Sequence, residues 1–236
     1  MEKQKEIIYK LNKITEIIKT KKEQVENLEL LVKSQFVELF ENVECETVKL
    51  IDVIQKGAGL SYGIVVPGEN FENGTPMIRP SDFSNGRLDL SNVYKVNPIV
   101  EEKYKKTRLV GNEILIQVIG QPGQVMLSNT SCKGMNVTRN LAVIRPNEEL
   151  VNRIFVKSFL ELPKTQSILL KNTKQSTLKQ LPLNLLKELE IKLPDIELQN
   201  QFAEFVKLID KQKFVIVEII MFYDIILKSI LNNIMG

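Results

Sequence analysis

The sequence predicts an α+β protein: one globular mixed α/β domain flanked by two long helices that form an antiparallel coiled coil. Three observations predict it. The first and last forty residues each carry an apolar seam at heptad spacing. The stretch between them mixes short strand-like and helix-like runs broken by glycine and proline. Positive charge is concentrated in that middle stretch. The expected bounds are 1–44 for the first helix, 45–195 for the domain and 196–236 for the second helix.

In the first helix, Ile7, Leu11, Ile14, Ile18, Lys21, Val25, Leu28 and Val32 alternate spacings of four and three, an a/d seam with one lysine inside it. No glycine or proline occurs in residues 1–52, and Glu and Lys fill the other faces. A helix over about 4–40 would span roughly 55 Å at about 1.5 Å per residue. In the second, Phe202, Phe205, Ile209, Gln212, Ile216, Ile219, Tyr223, Ile226 and Ile230 follow the same spacing. Pro194 and Asp195 precede it, with Asp195 placed to cap free backbone N–H groups. The two ends also resemble each other: a shift of 195 positions carries Gln4 onto Gln199, Ile7 onto Phe202, Ile14 onto Ile209 and Lys33-Ser34 onto Lys228-Ser229. Each stripe must be buried, and the other helix is its economical partner. Helices of another chain are the rival.

In the centre, residues 48–54 alternate loosely and 63–68 read as a strand ended by a turn. Residues 75–80 suggest a short edge strand because of Pro76 and Pro80. Residues 113–118 and 137–144 read as strands around the turn Gly120-Gln121-Pro122-Gly123. Residues 150–162 and 183–189 read as helices.

Composition narrows the function. With 236 residues, 43% apolar and 26% charged, the chain can build a packed core. Histidine is absent and the two cysteines, Cys45 and Cys132, form no cluster, so the commonest general base and a zinc site are both missing. The most apolar run, 214–227, is interrupted by Glu218 and Asp224, so no spanning helix is expected. The N-terminus goes straight into a helical pattern, which is no secretory signal, and a reduced, cytoplasmic protein is the simple reading. The net charge is +3, divided as −1 over 1–50, +6 over 51–192 and −2 over 193–236. Residues 114–147 hold Lys133, Arg139 and Arg145, and residues 162–187 hold five lysines, with no acid in either segment. Such a field suits a polyanion. A solvated surface is the alternative.

Motifs for catalysis are missing. Lys56-Gly57-Ala58-Gly59 lacks the Gly-Lys-Ser/Thr ending of a phosphate loop and reads as a turn. Pro194-Asp195 with Glu197 has no Glu-x-Lys following it, and no methyl-transfer motif is present. The polar run 171–180 is more informative. Lys171, Asn172, Lys174, Gln175, Ser176, Thr177 and Lys179 offer donors for phosphates and base edges, with no acid or aromatic among them. Gln117, Gln121, Asn136, Thr138, Arg139, Arg79 and Arg87 are candidates on the same grounds. A plain polar loop is the bland reading of each.

These parts together resemble the specificity subunit of type I restriction-modification enzymes. The resemblance lies in residues 2–8 and 28–40, similar to that family's spacer helix, and in residues 193–202, similar to the proline-containing start of its second spacer. It extends to Gly111-Asn112-Glu113-Ile114, to the run from Gly134 to Pro146, and to Ser176-Thr177-Leu178. Two departures stand out: Gln175 where the family often has glycine, and a single Pro194 where a double proline is usual. The resemblance implies a non-catalytic target recognition domain that reads a half-site of duplex DNA. It implies methylation subunits using S-adenosylmethionine, and restriction subunits using ATP and Mg. A full subunit carries two recognition domains and this chain has one. A natural half-subunit, a silent recombination cassette or a shortened form would fit. A homodimer or pairing with another half-subunit would complete a bipartite site. The heptads alone equally suit a coiled-coil interaction scaffold without DNA readout.

Overall fold

The computed structural model describes residues 2–57, 59–84, 87–171 and 180–235. Two long helices are present: α1, Glu2–Phe40, and α6, Ile196–Met235. Between them lie β1 (Glu46–Lys49), β2 (Leu60–Tyr62), β3 (Thr75–Ile78), β4 (Phe83–Ser84), β5 (Arg87–Leu88), β6 (Tyr94–Val96), α2 (Pro98–Glu102), β7 (Ile114–Gln117), β8 (Val125–Leu127), β9 (Asn136–Val137), β10 (Leu141–Ile144), α3 (Arg153–Glu161), α4 (Pro163–Lys171), α5 (Leu183–Lys187) and β11 (Glu190–Leu193). The chain divides into two units, residues 1–38 with 204–236, and residues 39–203. No helix among the described residues is long and apolar enough to cross a membrane.

The first unit contains α1 up to Glu38 and α6 from Glu204 and no other element, so each apolar stripe has the other helix to pack on. Ile14 and Ile18 are buried, and Ile7, Leu11, Val25, Leu28, Ile216, Ile219, Tyr223 and Ile226 are partly covered. Exposed ion pairs such as Lys10–Glu6 and Lys19–Glu23 line the outer side of α1 at i,i+4 spacing, worth a few tenths of a kcal/mol each. Lys213 reaches Glu29 across the pair at 2.8 Å.

The second unit is built on the sheet β2-β10-β7-β8, antiparallel throughout. Ile114 to Gln117 and Leu141 to Ile144 are buried at every position, which is why these runs read as continuously apolar rather than alternating. A second sheet, β6-β3-β9, pairs β3 antiparallel with β6 and parallel with β9. Residues 75–80 are therefore not a simple edge strand. Only Met77 and Ile78 meet β9, so Pro76 sits where its missing N–H breaks no bond on that side. The expected strand at 63–68 lies earlier, over 60–62. Gly63 ends it, and a Cβ there would fall 2.1 Å from the Val137 carbonyl oxygen.

Residues 137–144 do not form one strand. Leu141 N–H bonds back to Thr138 O, so the chain turns at 138–140 between β9 and β10. In the glycine stretch, Lys56 and Gly57 form a turn, and Gly59 lies against Ile54 too closely for any side chain.

Within this second unit, β1 pairs antiparallel with β11, Glu46 opposite Leu193. Lys192 Nζ donates to Glu41 O and Val43 O, beside the C-terminal end of α1. Phe40 packs edge-on against Phe155 and Phe202 at centroid distances of 4.8 and 5.5 Å. All three rings are buried, each worth about 1.5–3 kcal/mol. Gln199 is 0% exposed. Its side chain accepts from Asn152 N–H and donates to Leu150 O and Pro194 O, so both amide hydrogens are used.

Candidate nucleic-acid interface

Four stretches of chain meet at one end of the β2-β10-β7-β8 sheet. Gln117, the last residue of β7, lies opposite Leu141, the first of β10, so the turns beyond them share that end. Val118 N–H donates to Asn140 O at 2.8 Å. Leu181 N–H donates to Val118 O, and Ile119 bridges Gln180. Ile64 N–H donates to Val137 O, and Arg139 N–H donates to Ile64 O at 2.9 Å. Residues 63–66, 118–124, 138–140 and 180–181 are thereby bound into one surface.

The side chains exposed there are Val65, Val66, Gln121, Gln124, Arg139 and Gln180, with Thr138 and Asn140 half-buried. None of the four stretches contains an acidic residue. The turn is held from below by Gln166 of α4, whose Nε2 donates to Gly123 O. Lys171, exposed, ends α4. Both flanks of the polar run are thus tied to the 118–124 turn, through Gln166 on one side and Gln180 on the other. Asn172, Lys174, Gln175, Ser176, Thr177 and Lys179 lie outside the described residues.

Several residues named from sequence as possible DNA contacts are used internally instead. Asn136 is 0% exposed. Its Nδ2 donates to Glu101 Oε1 and Tyr104 O, and its Oδ1 accepts from the Thr107 hydroxyl and Val137 N–H. It joins α2 to β9 and has no hydrogen-bonding capacity left for a base. Gln117 is buried, and its Nε2 donates to Ile119 O, shaping the turn rather than reading from it. Arg79 forks onto Asp82, donates to Asn92 O and lies 5.9 Å over the Tyr94 ring. Its bonds to Asp82 hold the guanidinium protonated even more firmly than usual. Arg87 contributes its backbone to the β4–β5 pair, and its side chain lies outside the described residues. Gln121, Thr138 and Arg139 remain at the sheet end.

Arg145 also leaves the positive field. It is 6% exposed, lies 3.3 Å from Glu113 and donates to Lys106 O and Arg108 O. Burial pushes the Glu113 carboxyl up, but hydrogen bonds from the Ser128 hydroxyl and the N–H groups of Val110 and Gly111 outweigh it and hold it below the usual carboxylate range. Sequence reasoning passed over Val65, Val66 and Gln166, and held Gln180 only as the last residue of the polar run. Among the described residues no group of three or more His, Cys, Asp or Glu could hold a metal ion.

Residues 42–219 match the family model for the type I restriction modification DNA specificity domain. The type I restriction enzyme EcoBI specificity subunit of Escherichia coli is 27% identical over 188 residues, covering 80% of this chain and 38% of that protein. Among solved structures, the HsdS subunit from Thermoanaerobacter tengcongensis superposes with a TM-score of 0.57 at 17% identity, over 98% of this chain and 57% of that one. The type I restriction-modification S subunit from M. genitalium gives 0.56 at 12% identity, over 95% and 56%. These two likenesses concern the fold. The chain spans less than two fifths of the curated relative and little more than half of the solved ones.

Proposed function

The chain belongs to the type I restriction-modification DNA specificity family, and from that premise we propose that it reads one half-site of a bipartite duplex DNA sequence for partner subunits that methylate adenine and cleave. The observation that carries this reading is the acid-free sheet end where Arg139, Gln121 and Gln180 stand together with both flanks of the lysine-rich run. Arg bidentate to guanine, and Gln bidentate to adenine, are the pairings such side chains make in the major groove. Lys171, with Lys174 and Lys179 beyond it, supplies phosphate contacts that set position without reading sequence.

On this reading the chain catalyses nothing. S-adenosylmethionine, ATP and Mg belong to the methylation and restriction subunits. An adenine flipped from the duplex meets its chemistry in the methylation subunit. The complex works in the cytoplasm, where DNA is available. A second head, from a second copy or another half-subunit, completes the site, and the paired helices set the gap between half-sites. The row Leu208, Val215 and Phe222 supports a further helical partner. These residues are spaced seven apart on α6, and each is more than half exposed.

The test is binding of duplex DNA by the full chain together with its methylation subunits, across a salt series. The reading predicts affinity falling steeply as salt rises, because each lysine-phosphate contact releases counterions. Salt-independent or absent binding would favour a protein-interaction scaffold.

A further inference from the structure

The 63–74 loop presents three large apolar side chains to solvent, Val65 at 45%, Val66 at 70% and Phe71 at 44% exposure, and of these the two valines belong to the candidate interface. They are not carried on slack chain. On one side Gly63 N–H donates to Leu141 O and Ile64 N–H to Val137 O, while Arg139 N–H donates back to Ile64 O. Gly63 is needed for that approach, because the Val137 carbonyl occupies the space a side chain would take. On the other side the Tyr94 hydroxyl donates to Gly68 O at 2.6 Å, and Phe71 N–H donates to Lys95 O. A short segment pinned at both ends thus holds an apolar pair in water, next to the backbone of Arg139.

Exposed apolar groups held in a fixed place mark a contact surface. Among major-groove edges the 5-methyl of thymine is the apolar feature, and it is met by apolar side chains. We propose that Val66, with Val65 beside it, contacts thymine 5-methyl groups and so selects thymine next to the base read by Arg139. This rests on the DNA-reading function proposed above, and deepens it by naming a base and the group that recognises it.

The full chain, assembled with its methylation subunits, is used to select duplexes from a random pool. Each thymine of the selected duplex is then replaced in turn by uracil, which removes only the methyl group. At one or two positions the wild-type complex is expected to bind about fourfold more weakly, the worth of one buried methyl-sized group. Val66→Ala, whose fold is checked by circular dichroism, is expected to bind the thymine and uracil duplexes alike. Indifference of the wild type to every uracil replacement overturns the proposal and leaves DNA reading intact, since a duplex has been selected. A full uracil penalty retained by Val66→Ala overturns it too, by placing the methyl contact elsewhere. Failure to enrich any duplex overturns the DNA reading and this proposal with it.

Discussion

Lys213 Nζ lies 2.8 Å from Glu29 Oε1, joining two residues 184 apart in the chain. Phe40 and Phe202 meet further along the same two helices, and the residue numbers of each pair add to the same total. Positions that fall along α1 while they rise along α6 are the mark of antiparallel helices.

The Lys213–Glu29 contact itself contributes little. The side chains are 25% and 49% exposed, and pairs of that kind are worth about 0–1 kcal/mol. Glu29→Ala is expected to leave urea stability within about 1 kcal/mol of wild type, whereas Phe202→Ala removes a fully buried ring and costs about 3–5 kcal/mol. Equal effects of the two substitutions would show that the rings do not anchor the helix.

Arg145 and Glu113 form a buried pair, and removing one partner strands the other. Arg145→Met is expected to destabilise by about 3–5 kcal/mol. Glu113 titrates below its ordinary range in the folded state. Its contribution is therefore complete above the unfolded-state carboxylate pKa and is lost as pH falls through the lower folded-state value. Thermal unfolding followed downward through the carboxylate range should show that loss, and a Glu113→Gln variant should lack this component of it.

Asn136 and Arg139 are three residues apart and should respond in opposite ways. Asn136→Ala leaves the Thr107, Glu101 and Tyr104 groups short of partners and is expected to cost about 1–3 kcal/mol of stability. Arg139 is exposed, so Arg139→Ala should leave unfolding unchanged and cost about 1–3 kcal/mol of discrimination at one base position. Calorimetry and binding to single-substituted duplexes separate the two.

Lys171 is exposed at the end of α4, and phosphate contact predicts a uniform effect. Lys171→Ala should weaken all duplexes alike and reduce the slope of log affinity against log salt by about 0.9. A change in sequence preference with an unaltered slope would mark it as a base contact.

The helices were legible because a seam of four- and three-residue spacings survives over about seven or eight turns in each, with only Lys21 and Gln212 polar within it and no glycine or proline breaking it. The turn at 138–140 was not. Residues 137–144 look like one strand, and the break depends on β9 pairing in parallel with β3, a partner nearly sixty residues away. Asn136 and Gln117 failed as exposed readers for a related reason. An amide is equally able to bond a base or a backbone, and only the packing of α2 and the 118–124 turn decides which. The polar run was visible as composition, but its attachment to the sheet end through Gln180 and Gln166 required the fold. The apolar pair Val65 and Val66 read as part of a strand over 63–68, but the strand lies at 60–62 and leaves both beyond its end, exposed.

Mapping methylated adenines across a genome, with the wild-type chain and then with Gln121→Ala plus Arg139→Ala, tests most directly whether the sheet end reads DNA. The account predicts that the wild-type sites form one bipartite motif, and that the variant still folds and assembles but marks sites relaxed at the half-site positions those residues read. An identical motif from both chains would contradict it.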